Sequence, residues 1–546
     1  MHSGTYARNR TASSSRLLIL FILLCLATAM TSNAMAQDSG AGNKSDKIDE
    51  ISKRLEALEK QIESLKRENA DLKKKVGEIA APTLAHAAEI TRVEALPKAS
   101  GISPEQPAVE RNTSAPQPSP VAALQVQDKP QKKESRIEFG GEIRIRPEVT
   151  DDNPNTFTLG VDSFVGQRVR LNARARLTDD VTGFVEIQDS RFWGGEFSTT
   201  NSLANVDLHQ AYLQADRFLT PGLSLRIGRQ ELSYGSERLI GVSDWDNVGQ
   251  SFDAIKAVFA KKRWSIDLVA SRVNDFQGFR FGVPARENED PDFFPAPPHQ
   301  EFYGAYLKFL NDNPNYKLEA YGFLLNDNLA RFGEVRRRTD STSIYTVGGR
   351  QEAKFDGGFY FDGEAAFQAG HRGPDDHLAA AAAGRVGKYF KSARSPHFGF
   401  EYAFATGDSN SRDQDSREFI DLFADNHTHH GYMDLIGWRN LHDYRLNFGF
   451  NPAGELSLDV DYHKFLLHQA GGRWSNAVGT TLGFDPNGVS SKQLGQEVDF
   501  TLRIPYKEHL KFMAGYSVFL PGRFAKLTRQ SSDSSHFSYF QTLIRF

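Results

Sequence analysis

The chain has 546 residues, 65 Lys+Arg against 69 Asp+Glu, a formal net charge of -4 and one cysteine. That balance excludes a general nucleic-acid binder, which needs an excess of basic charge, and a lone cysteine excludes a disulfide framework. With 39% hydrophobic residues and a mean hydropathy of -0.49, no apolar run past the N-terminus reaches the roughly 20 residues of a spanning helix, so a membrane location demands a closed barrel.

Arg8, Arg10 and Arg16 precede an apolar stretch at residues 17–30, followed by Ala34-Met35-Ala36. Charged, greasy and small-residue segments in that order predict a secretory signal peptide over 1–36, cleaved after Ala36. Cys25 lies inside the greasy part, leaving the mature chain no thiol nucleophile. The bulky Leu24 before it argues against lipidation.

From Ile48 apolar residues return at alternating steps of three and four: Ile48, Ile51, Leu55, Leu58, Ile62, Leu65, then Asn69, Leu72, Val76 and Ile79. This is a heptad seam with one polar a position, predicting a coiled coil over 45–80, a rod of roughly 48 Å. Arg54 with Glu59 and Glu68 with Lys73 have the charge pairing of parallel strands. Homo-oligomerisation is the expectation, with an accessory partner or a single solvated helix as the alternatives. Residues 81–135 hold Pro82, Pro97, Pro104, Pro107, Pro116, Pro118, Pro120 and Pro130 among Ala, Gln and Ser, the composition of a linker.

From Ile137 the period changes to two. Ile137, Phe139, Gly141, Ile143 and Ile145 alternate with Glu138, Gly140, Glu142, Arg144 and Arg146, a strand with one greasy and one wet face. Such runs number about eighteen, an even count as bacterial single-chain barrels require. Short connections (Thr178-Asp179-Asp180, Lys261-Lys262, Asp356-Gly357-Gly358, Asn451-Pro452-Ala453-Gly454, Pro505-Tyr506-Lys507-Glu508) alternate with long polar ones near 148–163, 193–205, 232–250, 273–300, 326–342, 407–440, 467–491 and 520–534. The fold class is therefore all-β, an antiparallel transmembrane barrel over 136–546, with both termini on the short-turn, periplasmic side of a bacterial outer membrane. The last residues, Tyr539 to Phe546, alternate and end on an aromatic side chain, resembling the closing-strand signal read by the barrel assembly machinery. Outer-membrane lipid and that machinery are thus expected partners.

Residues 165–177 carry the most chemistry. Val165, Gln167, Val169, Leu171, Ala173, Ala175 and Leu177 share one face, and Arg168, Arg170, Asn172, Arg174 and Arg176 the other. An arginine facing lipid near the midplane costs about 2 to 4 kcal/mol, so the ladder must look inward, its guanidinia roughly 6.7 Å apart. Further candidate inward cations are Arg144, Arg146, Arg226, Lys256, Arg350, Lys354, Arg445 and Arg503. Two roles stay open: a track passing an anionic solute from cation to cation, or bracing against the inward acids Glu142, Glu186, Asp362, Glu364, Glu401, Asp443, Asp459, Asp461, Glu497 and Asp499. His427, His429 and His430, and likewise Asp408, Asp413 and Asp415, lie in one long loop without a defined ligand spacing, so both sets are read as solvated, with no metal or cofactor assigned. No nucleophile motif surrounds any Ser, His or Asp, and no enzyme is expected.

Gly228-Arg229-Gln230-Glu231-Leu232-Ser233-Tyr234-Gly235, continuing through Arg238-Leu239-Ile240-Gly241, Asp244-Trp245-Asp246-Asn247 and Ser251-Phe252-Asp253, with Leu208-His209-Gln210-Ala211-Tyr212 upstream, resembles the alginate-export family of outer-membrane proteins. The resemblance implies a monomeric barrel with a cationic lumen that releases an acidic exopolysaccharide. It makes Arg229 and Arg238 candidate lumen residues, and Asp244, Trp245 and Asp253 candidates for shaping an inward-folded loop. Gln250 stands where the family leads one to expect a basic residue, and the coiled coil is foreign to the alginate exporter. The expected function is passive passage of an anionic solute, such as an acidic exopolysaccharide. Uptake of small anions or organic acids, and an envelope tether anchored by a barrel, are the alternatives.

Overall fold

An alternating strand buries one face only if a sheet closes on itself, leaving no edge with unpaired backbone groups. The computed structural model describes residues 136–154, 160–195, 206–275, 299–311, 313–332, 334, 339–529 and 533–546. The expected signal peptide, coiled-coil seam and linker lie outside the described residues.

The strands are β1 (Ile137–Asp151), β2 (Val161–Arg176), β3 (Val181–Phe192), β4 (Val206–Ala215), β5 (Leu223–Gln230), β6 (Phe252–Lys261) and β7 (Trp264–Asp275). They continue as β8 (His299–Phe309), β9 (Tyr316–Phe332), β10 (Thr339–Lys354), β11 (Phe359–Arg372), β12 (Asp375–Tyr389), β13 (His397–Ala405) and the two-residue β14 (Asp415–Ser416). The last are β15 (Leu441–Phe450), β16 (Ser457–Leu467), the short β17 (Arg473–Ser475) and β18 (Thr481–Phe484), β19 (Gln493–Lys507), β20 (Leu510–Pro521) and β21 (Ser535–Arg545). Setting aside β14, β17 and β18, which lie in connections, the eighteen remaining strands pair antiparallel in chain order. β21 returns to β1, Glu142 facing Arg545 and Asp151 facing His536, and the barrel closes.

Turn chemistry sets one rim: residues 177–180, 262–263, 355–358, 451–456 and 508–509 join strands tightly. Aromatic side chains crowd the strand ends there, with Phe309, Phe355, Phe359, Phe398 and Tyr506 exposed outward, as an interfacial girdle requires. The opposite rim differs from expectation in two places, one of them the two-residue connection Gly373-Pro374 between β11 and β12. The stretch at 326–342 is not a long connection, because β9 runs to Phe332 and β10 starts at Thr339, the two pairing at that end. Its polar residues belong to strands, so polarity alone misplaced the boundary. The turn expected at 505–508 is likewise shorter, since β19 continues through Lys507.

Parity holds around the wall. Phe139, Val185, Leu213, Ile227, Val347 and Phe367 are exposed on the outer face, while Glu142, Arg144, Arg168, Glu186, Arg350, Glu401 and Asp499 are buried on the inner one. What buries them is not a neighbouring strand alone but chain folded into the lumen.

Candidate functional site

Two long connections enter the barrel and lock together. The β5–β6 connection (231–251) meets the β13–β15 connection (406–440) in a short parallel bridge, Ile240 beside Phe423. Gly241 N donates to Phe423 O, Phe423 N to Leu239 O, and Asp425 N to Glu237 O, each at 2.9 Å. The second segment is unusually apolar for a connection, with Phe419, Met433, Leu435, Ile436 and Trp438 all buried. Phe423 packs edge-on against Phe252 (5.2 Å) and Phe302 (5.4 Å) of the wall, joining Leu232, Leu239 and Ile240 in one core. Each such side chain contributes roughly 1.5 to 3 kcal/mol when fully buried, which favours folding inward over lying in water. Leu422, at φ 51°, adopts a backbone conformation that a branched residue holds only where its surroundings enforce it.

The arginines of β1 and β2 grip the tip of the first connection. Arg144 donates to the carbonyls of Asp244 (2.5 Å) and Asp246 (2.7 Å). Arg146 reaches the carbonyl of Trp245 at 2.8 Å and bonds Glu148 at 2.5 Å. Arg168 bridges the carboxylates of Glu142 and Asp244, both at 2.6 Å, and Arg170 holds Gln188 (2.7 Å) and the carbonyl of Val248 (3.1 Å). Burial alone raises the Asp244 carboxyl, but Arg168 and Arg170 outweigh it and hold that group at about 2. Trp245 is sandwiched between the Arg146 guanidinium, 3.8 Å from its ring centre, and the parallel ring of His427 at 3.9 Å. Tyr539 meets its edge from β21. Asp244 and Trp245 thus sit at the tip of the β5–β6 connection, held against the inner wall by these arginines.

The other predicted cations divide by partner. Arg238 pairs with Glu401. Arg445 bonds Asp461 at 2.7 Å, Arg503 pairs with Asp459 at 2.5 Å, and Arg176 with Glu138 at 3.3 Å. Arg350 is shared among Glu319, Glu352 and Asp362, and Lys354 lies 3.8 Å from Glu352. Arg174, Arg226 and Lys256 are different: among the described residues none has a carboxylate within ion-pair distance. Arg174 lies over the ring of Phe184 at 5.3 Å; Arg226 lies over Tyr212 at 4.3 Å and bonds Gln214 at 2.6 Å. Lys256 faces Arg226 across β5 and β6. Phe184 and Tyr212 stack at 5.1 Å, so cation, ring, ring and cation follow one another along the inner wall. Lys308, which sequence reasoning did not select, extends the band with its ammonium 5.7 Å from the Tyr306 ring. The inward acid Asp267 lies in the same region.

Arg229 is not a lumen residue, and Asp253 lies on β6 rather than in the inward-folded loop. They face each other in register at 3.2 Å, and their parity matches the exposed Ile227 and Ile255 rather than the inward Arg226 and Gln230. Strand alternation turns the pair to the outer face, overriding the family analogy. The loop histidines are not solvated either. His430 bonds Asp443 at 3.0 Å and His427 bonds Asp434 at 2.9 Å, both buried. Asp408, Asp413 and Asp415 are engaged by loop backbone or by Arg417. Burial pushes the Asp425 carboxyl up to about 7; His427 offsets this in part, while Glu237, Asp434 and Asp246 add to it. The signal that could have exposed this second inward segment is its apolar content, from Phe419 to Trp438.

Among solved structures, OccK11 (OpdR) of Pseudomonas aeruginosa is similar at 12% identity and a TM-score of 0.49, with 75% of this chain and 96% of that one covered. A BenF-like porin of Pseudomonas fluorescens Pf-5 is similar at 10% identity and a TM-score of 0.48, over 75% and 98% of the two chains. OccAB3 of Acinetobacter baumannii gives 12% and 0.47, over 75% and 99%. None of the curated proteins compared with the chain matches it. The profile of the alginate export family matches residues 135–539. With that match running from the start of β1 into β21, the chain belongs to the alginate export family and is an outer-membrane channel protein.

Proposed function

We propose that the barrel passes an anionic solute, of the acidic-polysaccharide class that its family's name denotes, along the inner wall between the interlocked loops and the short-turn rim. The observation that carries this reading is the contrast between cations spent on carboxylates and the band formed by Arg174, Arg226, Lys256 and Lys308, none of which has a carboxylate partner among the described residues. A guanidinium with no carboxylate partner keeps donors for one: Arg226 gives Nε and one terminal nitrogen to Gln214 and retains the other terminal nitrogen. The rings of Phe184 and Tyr212 offer the flat apolar surface on which a sugar ring rests. Contacts of this kind are weak and multiple, which lets a solute leave as readily as it arrives.

The test is the reversal potential in planar bilayers under a KCl gradient. The wild-type chain is expected to favour chloride, and Arg174→Ser, Arg226→Ser and Lys256→Ser together to abolish that preference; unchanged selectivity would overturn the proposal. Because two loops cross the lumen, a second reading is favoured by their bulk: small organic anions rather than a polymer. Current block by oligomeric uronate but not by benzoate supports the polymer, and the reverse supports the small anion. The heptad seam at residues 48–79 is proposed to associate copies of the chain in the periplasm.

A further inference from the structure

The segments around His209 and Glu231 stand out in the sequence, yet passage of an anion makes no use of either side chain. Between β3 and β4 the register slips: Glu186 faces Gln210, the next pair is Ile187 with Leu208, and His209 is left without a partner. A bulge of this kind re-aims a side chain, and His209 turns inward until it is 2% exposed. There its Nε2 lies 2.9 Å from Glu231 Oε1. Glu186, also buried, completes the group: one ligand-type atom from each of the three lies within 4.8 Å of the others.

The charges do not balance. Among the described residues Glu186 accepts only from neutral amides, Asn172 Nδ2 and Gln210 Nε2, both at 3.2 Å. Arg170 approaches Glu231 at 3.6 Å and is shared with Asp244 at 3.4 Å. A buried carboxylate without a cation is costly unless a positive guest or a proton relieves it.

We propose that Glu186, His209 and Glu231 bind a divalent transition cation of the zinc type. One imidazole nitrogen with two carboxylate oxygens is a ligand set such ions accept, at bond lengths of roughly 2.0 to 2.2 Å, with water in the remaining position. Gln210 would orient the ligands from behind, since its amide bonds Glu186 and its Oε1 accepts from Glu231 N at 3.2 Å. The ion would tie Glu231, the first residue of the β5–β6 connection, to β3 and β4. The site is thus a staple at the root of the loop whose tip Arg144, Arg146 and Arg168 already hold.

The test uses the full chain in detergent, stripped with EDTA and titrated with zinc chloride by calorimetry, with bound metal counted by mass spectrometry after dialysis. One zinc per chain is expected at this site, raising the unfolding temperature. Glu186→Gln and His209→Gln should each weaken binding at least tenfold and abolish the thermal shift, while His442→Gln, at a histidine outside the group, should change neither. Heat-modifiable migration and strand circular dichroism establish that the variants fold; Glu231→Gln, at a more exposed position, serves if either does not. No retained zinc, or equal affinity in wild type and Glu186→Gln, overturns the proposal.

Discussion

The same residue type does opposite work in two regions of one wall. On β1 and the middle of β2, Arg144, Arg146, Arg168 and Arg170 are consumed by Glu142, Glu148, Asp244 and the carbonyls of 244–248. Toward the short-turn end of β2 and across β5 and β6, Arg174 and Arg226 keep aromatic and amide neighbours and Lys256 faces Arg226, with no carboxylate at ion-pair distance among the described residues. The lesson is that an inward cation takes its role from its companions. A carboxylate beside it turns it into a fastening, and a ring or an amide leaves its charge for something passing by.

The comparison breaks first at Arg168. Arg168→Met leaves Glu142 and Asp244 without their shared partner, at a cost of about 3 to 5 kcal/mol for a broken buried pair. A lower unfolding temperature, together with larger or noisier single-channel conductance as the loop tip comes free, is the expected result; unchanged values in both would remove Arg168 from the clamp.

Next comes pH. The Asp425 carboxyl is raised to about 7, so its contribution to the interlocked loops is complete below the ordinary carboxylate range and is lost as pH climbs through 7. The scale is on the order of a few kcal/mol. Protease cleavage within 406–440 should therefore quicken from pH 5 to pH 8 in the wild type and stay flat in Asp425→Asn, and parallel profiles would refute the assignment.

On the other side of the comparison, Arg174→Ser with Arg226→Ser and Lys256→Ser should alter selectivity while changing stability by about 1 kcal/mol or less per site, since none of the three is ion-paired to a buried carboxylate among the described residues. A large loss of stability would show these cations to be braces as well. The smallest effect belongs to Arg229→Ala. Its exposed pair with Asp253 is worth about 0 to 1 kcal/mol, and ion selectivity should not move; a selectivity change would return Arg229 to the lumen.

Much of the barrel was legible in the residues because alternation is a local, two-residue property: Ile137 to Arg146 and Val165 to Leu177 announce their faces without reference to any other strand. Where the signal was only polarity, as at 326–342, the boundary was misread, since hydrophilic residues serve equally well in a strand rising clear of the rim. Arg229 shows the reverse error, a family analogy that strand parity could have corrected from the sequence itself.

By itself, then, the sequence determined a closed antiparallel barrel with a row of arginines facing inward, because oil outside and water inside leave an alternating chain no other arrangement. Only the tertiary structure decided what those arginines do. Which carboxylate or carbonyl stands beside Arg168 depends on Asp244, 76 residues away along the chain, and whether His427 is solvated or stacked on Trp245 depends on two loops meeting inside the lumen. Contacts between positions so far apart are set by chain closure and packing, which no local period encodes.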